Sequence, residues 1–216
     1  MRKSAAFRNG KIWQRVFGVR AKAARYAQKW NGTERGEASV KKRILLGLIS
    51  VFKALYNAVY AVMKLRPMQK KVVMISRQSN SQRPDFEQLG AEIEARDPGV
   101  RLVYLCREMG DTPLELLRYC FHLLHCAAEL STAHVCIIDG YCIPVSVLHH
   151  RKELRVVQVW HALGAIKKFG RQALSVPGGR DKELAERMGM HKHYDAVLCA
   201  SHRTAKAYEE AFGVSA

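Results

Sequence analysis

The most uneven feature of this 216-residue sequence is the shortage of acidic residues in its first third. Residues 1–72 contain 18 Lys and Arg but only two acids, Glu34 and Glu37, and therefore carry a net charge of +16. The rest of the chain has 18 basic and 17 acidic residues and is nearly neutral. The formal charge of +17 therefore belongs to an N-terminal arm. It predicts a polyanionic partner for that arm alone, either nucleic acid or an anionic membrane surface.

Cysteine is also sparse, and several common motifs are missing. The six cysteines are scattered through apolar runs without a CxxC pair, which argues against a secreted disulfide scaffold and favours a reducing cytosol. No uninterrupted apolar run followed by small residues opens the chain, so we expect no secretory signal. The patterns GxGxxG, GxxxxGKS/T, HExxH and GxSxG do not occur. Dinucleotide oxidoreductases, P-loop NTPases, zincins and α/β-hydrolases therefore lose their usual support.

The basic arm contains two stretches with a helical pattern. In residues 1–31, apolar side chains recur every three or four residues among the Lys and Arg, as in an amphipathic helix. Residues 44–65 are more apolar, but Lys53 and Asn57 interrupt them. A lysine at the centre of a bilayer would cost about 2.5 kcal/mol or more. We therefore expect this second helix to lie in a membrane interface, with packing on the domain and a true span as alternatives.

From residue 69 onward, β-branched apolar runs alternate with helical patterns. Strands are predicted at residues 72–76, 101–106, 134–139, 156–160 and 196–200, and helices at 85–96, 112–130, 181–190 and 202–212, with a short one after Pro144. The alternation predicts an α/β fold over residues 69–216: a Rossmann-like parallel sheet with helices on both faces, preceded by the basic helical arm of residues 1–68.

Polar side chains follow three of the predicted strands. Ser76 and Arg77 follow the first strand, Asp139 and Tyr141 the third, and His161 the fourth. The carboxyl ends of parallel strands share one edge of the sheet, so these residues should meet there. His161 precedes small residues that let a ligand approach, which suits a general base, whereas a purely structural histidine is the alternative. Buried Asp139 would either cap the next turn or bind a ligand.

Basic residues follow His161 along the chain. Gly164 lies in the next loop, and Lys167 and Lys168 come after it, where they could hold a phosphate near the start of a helix. A solvated basic face is the alternative for these lysines. We interpret the His191–His193 stretch in the same way, as a solvated loop.

Three residues of one predicted helix have a spacing that a metal could use. His122, His125 and Cys126 share this helix, but no second pair elsewhere has zinc-ligand spacing. The apolar residues around them indicate a stripe that faces the core. We therefore expect neither a metal nor a cofactor.

Four stretches resemble the CDP-glycerol glycerophosphotransferase family. VVQVWHALGAIKKFG, from residue 156, is similar to the Trp-His-Gly or Trp-His-Ala segment of that family. VVMISRQSNS from residue 72, CIIDGYCIPVS from residue 136 and MHKHYDAVLCAS from residue 190 match further segments in the same order. The resemblance covers approximately residues 70–216 and leaves the first 40 uncovered.

This resemblance implies a GT-B architecture, in which an N-terminal Rossmann-like domain handles the acceptor and a C-terminal one binds the CDP-linked donor. Glycerol phosphate would pass from CDP-glycerol to a hydroxyl of a lipid-linked acceptor in teichoic-acid-type polymer synthesis. His161 matches the candidate base of the family. The family pattern continues beyond Ala216, so we expect this chain to be the N-terminal half, to lack the donor domain and to be inactive alone. The substrate-binding residues would be Ser76, Arg77, Asp139, Tyr141, Gly164, Lys167 and Lys168.

Other functions remain open from the sequence. A non-catalytic module that binds anionic membrane surfaces would use the arm alone, and a related transferase could use CDP-ribitol or a nucleotide sugar. A nucleic-acid binder would have Trp13, Tyr26 and Trp30 for stacking, but no known binding motif supports it, so nucleic acid is not the expected partner. The predicted location is peripheral, on the cytoplasmic face of the cell membrane.

Overall fold

The computed structural model describes residues 35–162, 167–174, 176 and 179–215, with side chains from Val40 onward. The helix predicted for residues 1–31 lies outside the described residues. The elements follow in the order α1 (Arg35–Met63), β1 (Gln69–Ser76), α2 (Pro84–Arg96), β2 (Arg101–Cys106), α3 (Pro113–Leu130), β3 (Ala133–Ile138), α4 (Ile143–Val147), β4 (Arg155–Gln158), a 3-10 turn (Gly170–Ala173), α5 (Lys182–Arg187), β5 (Ala196–Val197) and α6 (His202–Phe212).

The strands form one parallel sheet in the order β2-β1-β3-β4-β5, which confirms the predicted fold class. β1 pairs with both β2 and β3, and its side chains are buried from Lys71 to Ser76. β4 ends at Gln158, two residues earlier than predicted. Trp160 has a φ of 60°, in the left-handed region, and a chain in that conformation leaves the extended strand.

Successive residues of β1 face opposite sides of the sheet, as the twofold period of a strand requires. Val73 and Ile75 pack in the core beneath α1 and α3. Val72 and Met74 pack with Phe86 of α2 on the other side. Both faces of the sheet are therefore covered by helices.

One face of α1 packs against the domain. Tyr56 and Tyr60 are buried in the core, and the Tyr56 hydroxyl donates to the carbonyl of Leu123 in α3 at 2.5 Å. Lys53 donates to the carbonyl of Arg187 at 2.8 Å, and Asn57 donates to a carbonyl of α4 at 2.9 Å. The two polar residues that interrupt the apolar pattern therefore lie on the face that contacts the protein.

The opposite face of α1 is apolar and exposed. Leu48 and Leu55 are 62% and 64% exposed, and further exposed side chains recur at three- and four-residue intervals, namely Val40, Ile44, Val51, Val59 and Val62. The segment Val40–Met63 is long and apolar enough to cross a membrane. Interfacial helices and packed helices of this length and composition also occur.

Candidate functional site

Three predicted residues meet at the carboxyl edge of the sheet. Ser76 is the last residue of β1, Asp139 follows β3 directly, and His161 lies three residues after β4. The Ser76 hydroxyl donates to Asp139 Oδ2 at 2.6 Å, and His161 Nδ1 is 2.7 Å from the carbonyl oxygen of Asp139. The predicted meeting of these residues at one edge is confirmed, and their roles in catalysis stay predictions.

Asp139 supports the site from within the protein. Its side chain is only 1% exposed, accepts from Ser76 and lies 3.6 Å from Nε of Arg83. Burial raises the pKa of Asp139, although Ser76 and Arg83 act in the opposite direction. Because Ser76 and the Asp139 carboxylate are enclosed and satisfied by each other, they position the site and do not line its cleft.

His161 is exposed, and the hydrogen bond from its ring to the main-chain carbonyl of Asp139 defines its tautomer. A carbonyl oxygen only accepts hydrogen bonds, so Nδ1 carries the hydrogen that is donated to Asp139. The neutral ring then keeps its lone pair on Nε2. This nitrogen is the one available to accept a proton from a bound hydroxyl.

The backbone conformation of Trp160 directs the following residue, His161, toward the carbonyl of Asp139. Its left-handed backbone is unfavourable for a bulky residue, and the packing of its indole ring compensates for that strain. The ring stacks on Phe169 with centroids 4.9 Å apart, meets Phe212 edge-on at 5.3 Å, and lies 4.0 Å from the ring of His161. The orientation of His161 is therefore set partly by this aromatic cluster.

Gln158, which sequence reasoning did not single out, joins the loops of the site. Its side chain is 0% exposed. Nε2 donates to the carbonyl of Gly140 at 3.2 Å and to the hydroxyl of Tyr194 at 3.3 Å, whereas Oε1 accepts from the backbone N–H of Trp160 at 2.9 Å. A glutamine inside an apolar parallel strand is a signal that could have identified it, because a buried amide needs partners.

His191 also enters the site, and its interpretation as a solvated residue is wrong. It is buried, with its Nδ1 2.9 Å from the Tyr194 hydroxyl and its ring against Phe212 and Tyr141. Burial, together with the positive charges of Arg180 and Arg171, lowers the pKa of His191 to about 3. The ring is therefore neutral at pH 7.

Tyr141 and Arg77 adjoin His191. The Tyr141 hydroxyl donates to the carbonyl of Met188 at 3.1 Å, which fixes the ring. Arg77 donates from Nη1 to the carbonyl of Tyr141 at 3.3 Å. Both predicted substrate-binding residues thus lie at the carboxyl edge, next to the residues that hold His161.

A cleft of about 420 Å³ opens at this edge. It is lined by Gln78, Gly140, Tyr141, Trp160, His161, Gly170, Ala173, Gly179, Arg180, Met190 and His191. A larger cavity, about 510 Å³, lies between β5 and α6 and contains none of the predicted site residues. We take the smaller cleft as the candidate site because it contains the accessible histidine.

The remaining predicted residues lie apart from the cleft or outside the description. Gly164 lies outside the described residues. Lys167 and Lys168 are exposed and do not line the cleft. His122 packs beside Cys126, with Nε2 3.5 Å from its sulfur, and burial lowers the pKa of this histidine to about 4. His122 and Cys126 therefore face the core, but the apolar neighbours from which a core-facing stripe was predicted do not: Leu117, Phe121 and Leu124 are exposed, as is His125.

Comparison with known proteins finds relatives among enzymes of teichoic acid synthesis. The teichoic acid ribitol-phosphate primase of Bacillus spizizenii is 29% identical over 166 residues, which cover 76% of this chain and 43% of the relative. The teichoic acid glycerol-phosphate primase of Bacillus subtilis is 29% identical over 93 residues, 43% of this chain and 24% of the relative. The chain thus spans less than half the length of these relatives.

The fold agrees with solved structures as well. The wall teichoic acid polymerase TagF superposes with a TM-score of 0.52 at 11% identity, covering 80% of this chain and 45% of that chain. A likeness at this identity concerns the fold, a Rossmann-like half of GT-B type. The family model for CDP-glycerol:poly(glycerophosphate) glycerophosphotransferases matches residues 58–216, most of the chain. This protein therefore belongs to the CDP-glycerol:poly(glycerophosphate) glycerophosphotransferase family.

Proposed function

We propose that this chain forms the acceptor-side half of a transferase that moves glycerol phosphate from CDP-glycerol to a hydroxyl of a lipid-linked acceptor. The observation that carries the proposal is the bond between His161 Nδ1 and the carbonyl of Asp139. It leaves an accessible Nε2 as a base, in a cleft that can admit a hydroxyl. Family membership supports the choice of reaction.

In the proposed reaction, His161 acts as the general base. Nε2 of His161 accepts the proton of the acceptor hydroxyl while the oxygen attacks the β-phosphorus of the CDP-linked donor. A bond forms between that oxygen and the phosphorus, the bond from the phosphorus to the bridging oxygen breaks, and CMP leaves. The proton taken by His161 then passes to solvent. General base catalysis of this kind contributes about 10² to 10⁴ in rate.

CDP-ribitol is the second candidate donor. The relative that matches the larger share of this chain is a ribitol-phosphate primase, whereas the glycerol-phosphate primase matches over a shorter stretch. Both donors present the same diphosphate and differ in the polyol. The choice between them belongs to the donor pocket, which the resemblance assigns to the other half of such enzymes.

The test is a transfer assay with the complete protein that contains this chain. CMP release is measured with CDP-glycerol and CDP-ribitol, each with and without a lipid-linked acceptor. We expect acceptor-dependent CMP release with one of the two CDP-polyols. CMP release that does not depend on the acceptor, or none with either donor, would contradict the proposed reaction.

We also propose that the protein is peripheral on the cytoplasmic face of the membrane and that the exposed face of α1 enters the interface. Lys53 and Tyr56 hold the opposite face against the domain, so a true span would break these contacts. The exposed leucines can then enter the acyl boundary while the basic arm meets anionic headgroups, each Lys or Arg adding about 1 kcal/mol.

A further inference from the structure

Two arginines lie against one aromatic ring at the candidate cleft. The guanidinium carbon of Arg180 is 5.4 Å from the centroid of the Tyr141 ring, and that of Arg77 is 5.9 Å from it. Arg77 also lies 5.9 Å from the ring of Tyr119, so it is held between two tyrosines. Tyr141 and Arg180 line the same cleft as His161.

Neither arginine is neutralised within the described part of the chain. Arg77 has a weak bond to the carbonyl of Tyr141, and its Nε is buried without an acceptor among the described residues. Arg180 donates to the sulfur of Met190 at 3.7 Å, a weak acceptor. Partial burial and the positive charge of Arg77 lower the pKa of Arg180. Two like charges thus stand close together, and an anion would relieve their repulsion.

We propose that Arg77 and Arg180 form a subsite for a diphosphate group beside His161. A diphosphate offers several charged oxygens, and the planar fork of a guanidinium bonds such oxygens in pairs. The ring of Tyr141, which lines the cleft together with Arg180, contacts both guanidinium groups, so Arg77 lies directly behind the cleft wall. The inference rests on the proposed function, in which the diphosphate belongs either to the CDP-linked donor or to the lipid-linked acceptor.

The test measures binding of inorganic pyrophosphate to the 216-residue chain by calorimetry, at low salt and without divalent cations. The variants are Arg180→Gln and Arg77→Lys, and Arg96→Gln is the matched control. Arg96 is exposed and pairs with Glu92 on α2, away from the cleft. We expect Arg180→Gln to weaken binding about tenfold or more. Arg77→Lys, which keeps the charge but loses the fork, should weaken it less, and Arg96→Gln should change it less than twofold.

Arg180 lies at the surface of the cleft, so Arg180→Gln should fold, and its far-UV circular dichroism and melting temperature verify this. Equal affinity of Arg180→Gln and Arg96→Gln would overturn the subsite, as would a wild-type chain that does not bind pyrophosphate. Binding should also weaken at high salt, since screening reduces attraction between charges.

Competition separates the two sources of the diphosphate. CDP-glycerol should displace pyrophosphate if the subsite serves the donor, and farnesyl diphosphate should displace it if the subsite serves the acceptor. Displacement by neither compound overturns the proposal. Pyrophosphate binding requires no turnover, so a failed transfer assay would contradict the proposed function without contradicting the subsite. Conversely, a wild-type transfer rate in Arg180→Gln would contradict the subsite without contradicting the proposed function.

Discussion

His161 is held by the main chain of Asp139, whereas the carboxylate of the same residue bonds to Ser76. The two contacts are 2.7 Å and 2.6 Å long and connect β4, β3 and β1 at one edge of the sheet. The tautomer of the histidine is therefore set by a carbonyl oxygen, which has no charge to lose when the pH changes. This arrangement keeps Nε2 of His161 free for a substrate hydroxyl.

Replacement of this histidine tests its role as the base. In the complete protein, His161→Ala should lower kcat by about 10² or more and leave the affinity for CDP-glycerol nearly unchanged, because a base acts in the transition state. His134→Ala is the control, since His134 also bonds a carbonyl, that of Gln69 at 2.7 Å, but at the opposite edge of the sheet. Turnover of His161→Ala within twofold of wild type would show that another group is the base.

Gln158 should act as a positioning residue for His161. In Gln158→Glu the side chain no longer donates to Gly140, and the buried partner left unsatisfied should cost about 1–3 kcal/mol of stability. We expect kcat to fall at least tenfold while KM stays within about twofold. Gln88→Glu on the exposed side of α2 is the control. A loss of stability without a change in kcat would indicate a structural role only.

Buried histidines should make the protein sensitive to mild acid. Burial lowers the pKa of His122 and His150 to about 4 and is the main cause of the value near 3 for His191, against 6.5 for an unperturbed histidine. Below pH 6.5 the unfolded state therefore binds more protons, and stability falls as the pH decreases toward 4. Three such groups give a slope of about 4 kcal/mol per pH unit. Burial also raises the pKa of Asp139, so the folded state binds one proton more readily at this residue, and this partly offsets the loss of stability at low pH.

Urea unfolding between pH 7 and pH 4.5 measures this slope. His150→Gln should reduce it by about a third. Tyr60→Phe is the matched control, because it removes the hydroxyl that lies 3.0 Å from His150 Nδ1 and leaves the titrating ring in place. It should lower stability at every pH and keep the full slope. An unchanged slope in His150→Gln would mean that this histidine does not contribute.

The exposed face of α1 should determine membrane binding. Leu48→Glu combined with Leu55→Glu places two charges on this face, and we expect flotation with anionic liposomes to fall several-fold. The double substitution is a better test than a chain that begins at Lys70, because removal of α1 would also remove Tyr56 and Tyr60 from the core.

The control for this test is Leu198→Glu, at an exposed leucine near the end of β5. High salt should weaken the binding of the wild-type chain, because the basic arm contributes through charge. Equal flotation of the double variant and the control would show that α1 is not the membrane contact.

Local sequence patterns determined the strand and helix alternation of this protein and, through it, the edge at which Ser76, Asp139 and His161 meet. The carboxyl ends of parallel strands all lie at the same edge of a sheet, so the order of strands and helices was sufficient to predict that these three residues meet. The same patterns indicated an apolar helix in the second half of the arm. They did not show that Lys53 and Asn57 face the domain, because a helical period does not identify the partner of each face.

Only the tertiary structure decided which side chains complete the site. The Gly140 carbonyl and Tyr194 hydroxyl that Gln158 bonds lie 18 and 36 residues away along the chain, and no local pattern connects them. His191 lies in a basic loop pattern, yet Phe212 of α6 and Tyr141, which follows β3, pack against its ring. Arg180 indicates an anion subsite only because the folded chain places it near Arg77. Burial and charge proximity depend on distances between distant segments, and those distances arise when the helices pack on the sheet.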